Sequence, residues 1–289
     1  MFIQQLIAGL AMGSIYALVA MGFTLIFKSM KLVNFAQGDL FMMGAMFGYT
    51  FYSIVGLPLV LSIIGGMVLS FLLGALFERL ALNPLKNAPE MSLLLVTVAT
   101  GILLQNLAKL IWGPDTLPFD TFSEVQTVTL GGVSIRTQDI VIVVVTILAV
   151  SIFHYFFQYT QFGKALRATS MDRQTASAMG INVRVMILLA IAISSTFGGL
   201  AGMLIAPVYF VYPTMGVMIG LKAFIASVIG GLNHIYGALI GGLFLGLMET
   251  FVSGYISSAY KDIVAFVILI VVLRFLPSGI LGKKAINKV

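Results

Sequence analysis

Apolar runs long enough to cross a lipid bilayer recur from one end of this chain to the other. A hydrocarbon core ~30 Å thick needs about 20 consecutive apolar residues in a helix. Stretches of that order occupy residues 2–27, 57–77, 91–112, 140–159 and 185–206, with further apolar pieces at 40–52, 222–229, 238–251 and 263–276. Within lipid, every backbone N–H and C=O must find a partner inside the chain, so runs of this length select helices. Only 9% of the residues are charged, against about a quarter in soluble domains. The expected fold is therefore all-α: a polytopic membrane helix bundle of eight or nine spans, some broken or re-entrant, forming one transmembrane domain over residues 1–289.

The few charges report orientation. The chain has 16 Lys and Arg against 10 Asp and Glu and a pI near 9.5, a balance that in a soluble protein would point to nucleic acid. Here the cations sit in loops and at the ends of apolar runs: Lys28 and Lys31, Lys86, the group Lys164, Arg167, Arg173 and Arg184, and Lys283, Lys284 and Lys288. That is the positive-inside pattern of a lipid-embedded protein, with no nucleic-acid partner. Residues 113–138 carry Asp115, Asp120 and Glu124 against Arg136 alone. They read as an outer loop with a small hairpin about Gly131–Gly132. Nine crossings with the N-terminus outside satisfy every basic loop. The opening Met-Phe-Ile-Gln-Gln lacks the basic region of a cleavable signal, and with no Cys there are no disulfides or thiolate sites.

Two membrane segments are interrupted. Asn34-Phe-Ala-Gln-Gly-Asp39 precedes one apolar piece, and Gly230-Gly-Leu-Asn-His-Ile-Tyr-Gly237 separates two others. Irregular backbone is tolerated at membrane depth only where it is packed in protein or lines a water-filled path, and paired interruptions point to a route between repeats. Asn34, Gln37 and Asn233 are accordingly expected to face a translocation path or to stabilise the broken backbone beside it. Glu249, alone in an apolar run, is expected to be structural, paired with a polar group on a neighbouring helix or protonated. His154 has no carboxylate one turn away and reads as a packed or interfacial side chain.

Catalytic chemistry is missing. The chain contains no H-E-x-x-H, G-x-S-x-G or Walker A sequence, and its two histidines lie on separate spans. No catalytic residue, metal site or cofactor is expected. The polar, basic stretch 160–184 stands out instead. Ser170 is expected to cap a short helix over 171–179, with Asp172 in its first turn and Gly180 closing it in the left-handed conformation. Ala176 and Met179 would share one face, flanked by Met171 and Thr175, with Arg173 at the rim.

With these residues in place, the chain resembles the permease subunits of bacterial ABC importers for branched-chain amino acids, over essentially its whole length. The resemblance is carried by G-L-A-M-G-S-I-Y-A-L from Gly9, V-N-F-A-Q-G-D-L-F-M-M-G from Val33, G-K-A-L-R-A from Gly163 and A-S-A-M-G-I-N from Ala176. It continues in G-L-K-A-F-I-A-S-V-I-G-G from Gly220, G-A-L-I-G-G-L from Gly237, Y-K-D from Tyr260 and P-S-G-I-L-G from Pro277. It implies a multi-pass protein of the bacterial inner membrane that is not itself an enzyme. Its implied partners are a second permease subunit, expected to be a paralogue, two cytoplasmic ABC ATPase subunits and an external substrate-binding protein. By the resemblance, the loop 160–184 holds the ATPase-coupling helix, with Arg167, Met171, Asp172, Arg173, Ala176, Met179 and Gly180 at the coupling surface. Competing readings are an ABC permease for urea or short amides, an autonomous channel or facilitator for a small polar solute, and a secondary transporter using Glu249 and Lys222.

Overall fold

The computed structural model describes residues 2–86, 88–119, 127–130, 133–276 and 278–282. In chain order the helices are α1 (Phe2–Met30), α2 (Gln37–Tyr49), α3 (Leu59–Phe77), α4 (Glu90–Trp112), α5 (Thr137–Tyr159), α6 (Gln161–Met171), α7 (Arg173–Ala178), α8 (Val183–Tyr209), α9 (Gly216–Gly230), α10 (Ile235–Tyr255) and α11 (Lys261–Phe275). Single π turns extend α2 through Thr50–Ile54 and α3 through Glu78–Leu82. The expected hairpin forms before α5: β1 (Thr127–Leu130) pairs antiparallel with β2 (Val133–Arg136), Leu130 opposite Val133. Its two turn glycines, Asp120, Glu124 and the three C-terminal lysines lie outside the described residues.

Six helical segments among the described residues are long and apolar enough to cross a membrane, fewer than the eight or nine expected. The shortfall is in α2, α9 and α11, of 13, 15 and 15 residues. At 1.5 Å per residue a 15-residue helix spans only about 22 Å. The second interruption is likewise not a break within one span. Gly231, at φ +101°, and the bond from the His234 N–H to the Gly231 carbonyl (2.8 Å) turn the chain. They fold α9 and α10 into an antiparallel hairpin. Helix α8 runs past the expected apolar stretch to Tyr209, with Pro207 inside it.

Burial sorts the helices. The most apolar window of α1 is 83% buried, against 22% in each of the α3, α4 and α5 spans. Helix α1 is thus a central post held mainly by α8 and α10, while α3, α4 and α5 turn most of their surface outward. Small residues permit the close crossings. A Cβ on Gly246 of α10 would meet the backbone of Gly13 on α1, and one on Gly44 of α2 would meet that of Gly199 on α8.

Candidate functional site

One end of the bundle is built around α6 and α7. Thr160 caps α6, its hydroxyl accepting from the Gly163 N–H at 3.0 Å. A Cβ on Gly163 would strike the Phe156 carbonyl, so only glycine lets α6 fold back so tightly against the end of α5. Arg167 then turns inward, donating to the Phe157 carbonyl (2.6 Å) and the Gln158 Oε1 (2.5 Å) and capping α5, where a cation meets the negative end of the helix dipole. Its guanidinium is a joint between α5 and α6.

The short helix after it differs from the expected one. The chain breaks at Asp172, not Ser170, giving two helices, and Met171 ends the first of them. Ser170 lies inside α6, its hydroxyl spent on the Leu166 carbonyl. Asp172 is the cap of α7, accepting from the Gln174 and Thr175 N–H groups at 2.8 and 3.2 Å and from the Thr175 hydroxyl at 2.9 Å. These donors, the Thr175 hydroxyl foremost, hold its carboxyl below the usual carboxylate range. Gly180 does take the left-handed turn (φ +83°), the Ile181 N–H reaching the Ala176 carbonyl at 3.1 Å. The expected shared face of Ala176 and Met179 is not present. Ala176 is 3% exposed and packed into its own chain, whereas Met171 and Met179 stand 88% and 79% exposed on either side of α7. Arg173 points inward too. Its Nε and Nη2 both donate to the Ser29 carbonyl, at 3.0 and 2.5 Å, fastening α7 to the last turn of α1.

The amide residues separate. Asn34 and Gln37 are fully buried. The Asn34 Oδ1 accepts from the Ala36 N–H (3.1 Å), an Asx turn that substitutes for the missing helical bonds between α1 and α2. The Gln37 Nε2 donates to the Ser194 carbonyl (3.1 Å) while its Oε1 accepts from the Ser194 hydroxyl (3.0 Å), locking α2 to α8. Asn233 is exposed in the α9–α10 turn and accepts from the Lys31 Nζ at 3.2 Å. This bond puts the α9–α10 turn at the same end as α7.

The buried charges meet on the other side of the bundle. The Lys222 Nζ lies 2.8 Å from the Glu249 Oε1 and 2.7 Å from the Asp262 Oδ1, and the Tyr16 hydroxyl donates to the Glu249 Oε2 at 2.7 Å. One cluster thus ties α1, α9, α10 and α11. Glu249 and Tyr16 also floor a polar cavity of about 410 Å³, walled by Gln4, Arg136, Asp139 and Lys261, at the end opposite α7. A second cavity, of about 280 Å³, lies between α1, α2, α4 and α9 and is lined mostly by apolar residues. Its one charged residue is Asp39, held by the Gln105 Nε2 at 2.8 Å. Glu249 was expected to meet an unspecified polar group on a neighbouring helix, and the structure makes that group Lys222; the link from Asp39 to Gln105 carried no sequence signal.

A central helix post, apolar outer helices, two cavities and a structured polar loop at one end make a membrane permease. The chain belongs to the family described as the permease component of the branched-chain amino acid transport system, whose pattern matches residues 5–273. It is a subunit of that transport class and a multi-pass protein of the inner membrane. It is 35% identical to the high-affinity branched-chain amino acid transport system permease protein LivH of Escherichia coli K12, over 100% of this chain and 98% of that protein. Identity to BraD of Pseudomonas aeruginosa, which bears the same description, is 34% over the same shares. Among solved structures, PsaBC from Streptococcus pneumoniae in complex with Fab shares the fold at TM-score 0.52 and 17% identity, covering 94% of this chain and 91% of that one.

Proposed function

We propose that this chain is one of two membrane subunits of an ATP-driven importer for branched-chain amino acids, working with a paralogous permease, separate cytoplasmic ATPase subunits and an external binding protein. Full-length similarity to permeases of that description carries the reading, and the absence of any P-loop sequence agrees with ATP hydrolysis on other chains. In this reading α2, α9 and α11 also cross, completing nine passages with the N-terminus and the 410 Å³ cavity outside and α6–α7 in the cytoplasm. The test is uptake of radiolabelled leucine into vesicles holding the assembled subunits. Uptake should require both ATP and the binding protein; flux without ATP through this chain alone would make it a facilitator and overturn the reading.

The coupling surface follows as α7 with the exposed methionines that flank it, Met171 and Met179. Flexible apolar side chains suit a contact that must follow a moving partner, and the two bonds from Arg173 to Ser29 would carry displacement of α7 straight into α1. Replacing Met171 and Met179 together by Asp is expected to leave the folded permease intact, because both are solvent-facing. The ATPase subunits should then no longer co-purify with it. If they stay bound and transport is normal, α7 is not the docking element. Ala176→Arg is a poor probe of docking, since that side chain is inside.

A further inference from the structure

Asp39 is a carboxylate at membrane depth with an incomplete set of partners. It is 7% exposed, and among the described residues its single hydrogen-bond donor is the neutral Gln105. The ion pairs among the described residues join Arg136 to Asp139 and Lys222 to Glu249 and Asp262; none reaches Asp39. In the first turn of α2 the carboxylate has the helix N-terminus beside it but no cation. At this depth it is costly unless it is protonated or a cation comes to it, and intramembrane ionisable groups often mark ligand paths. Asp39 opens on the 280 Å³ cavity, whose other walls are chiefly apolar: Phe23, Val98, Ile102, Leu221 and Phe224. Ile102 lies near the middle of α4, which places the cavity close to mid-bilayer. The starts of α2 and α9 also meet there. Gly38 and Gly216 both line it and touch backbone to backbone, a Cβ on either colliding with the other's carbonyl. In the first turns the Gln37 and Val217 N–H groups are bonded to the Asn34 and Thr214 carbonyls, and the remaining N–H groups without helical partners favour an anion.

We propose that this cavity is a transient subsite for the transported amino acid. Asp39 pairs with the substrate ammonium, the first turns of α2 and α9 face its carboxylate, and the apolar wall takes a branched aliphatic side chain. The assignment rests on the importer reading above and extends it to named residues. It uses three chemically distinct surfaces in one small cavity, each matched to one part of an α-amino acid. The cavity is bordered by the exposed Phe35, Ile102 and Val217, so it opens on the surface of this chain, and the proposal requires that opening to face the second permease subunit and not lipid.

The experiment measures radiolabelled leucine binding to the purified permease–ATPase assembly without binding protein, alongside ATP-driven uptake with it. Asp39→Asn keeps the shape and the bond from Gln105 but removes the charge. It is expected to weaken leucine binding about ten- to a hundredfold, as for loss of a charged hydrogen bond. 4-Methylpentanoate, which is leucine without its amino group, should compete with leucine poorly. Ile102→Trp, on an exposed wall, should weaken leucine binding far more than glycine binding, so a folding defect in the first variant would not shield the proposal. Wild-type assembly that imports leucine with Asp39→Asn binding unchanged, or with equal competition from 4-methylpentanoate, overturns the subsite alone. Wild-type assembly that imports no branched-chain amino acid overturns the importer reading and the subsite with it.

Discussion

Replacing Lys222 by methionine is expected to destabilise the folded permease by about 3–5 kcal/mol, the usual cost of removing one partner of a buried ion pair. The substitution strands Glu249, whose side chain is 6% exposed, with the Tyr16 hydroxyl as its remaining partner. The penalty is asymmetric across the cluster. Asp262 is 43% exposed and can fall back on water, so Asp262→Asn should cost much less. Glu249→Gln leaves Lys222 paired with Asp262 and should be intermediate. Thermal unfolding followed by size-exclusion chromatography in detergent gives the order. The decisive variant is Lys222→Met combined with Glu249→Gln, which removes both buried charges and should recover most of the loss. If the double variant is no more stable than Lys222→Met alone, the cluster is not held by this ion pair. If Glu249→Gln assembles normally but abolishes transport, Glu249 belongs to the path and is not structural.

Gly44→Leu is expected to separate α2 from α8 and prevent a well-packed permease from accumulating. A Cβ at this position would lie on top of the Gly199 backbone, which belongs to α8 and cannot rotate away as a side chain could. Overpacking a close crossing costs about 1–3 kcal/mol for a small addition, and here the displaced element also carries Ser194, which locks Gln37. The control is Gly56→Ala. Gly56 lies in a turn at φ +74° with open space around its Cα, so the cost is limited to about 1–2 kcal/mol of backbone strain. Expression and monodispersity of the two variants should differ sharply. Equal behaviour would mean that α2 and α8 are free to move apart.

How far the sequence could be read depended on whether a residue's role was local. Helix ends were legible because charge, proline and glycine act where they stand: α4 and α5 begin and end within a few residues of expectation, and Gly180 turns as its position required. Asn34 was also legible, since an amide beside a broken helix has few uses other than bonding backbone. Burial was not legible. Mean hydropathy is 2.0 for α1 and 2.6 for α5, yet their buried shares are 83% and 22%. In a membrane both faces of a helix are apolar, so the alternation that marks a core side in a soluble protein is absent. The cap of α7 failed for a related reason. Ser170 and Asp172 are both good caps, and the choice fell to the Leu166 carbonyl and the Thr175 hydroxyl. Ala176 was misplaced because a small apolar residue suits a docking face and a packed one equally well.

The central placement of α1 has a consequence for how the protein is made. Its main neighbours, α8 and α10, begin at Val183 and Ile235. During synthesis at about 5–20 residues per second, α1 therefore waits on the order of 10–40 s before its last wall exists. Through that interval the side of α1 that carries Gly9 and Gly13, which packs on Leu243 and Leu247 of α10, must rest in lipid or against an insertion chaperone. Its composition suits that wait: between Leu6 and Phe27 its polar side chains are Ser14, Tyr16 and Thr24, with no charge. The Tyr16 hydroxyl, buried in the finished bundle, meets Glu249 only once α10 has been made. Cotranslational completion of this permease is thus gated by α10, and chains arrested before it should be substrates for membrane quality control even though every helix made so far is inserted.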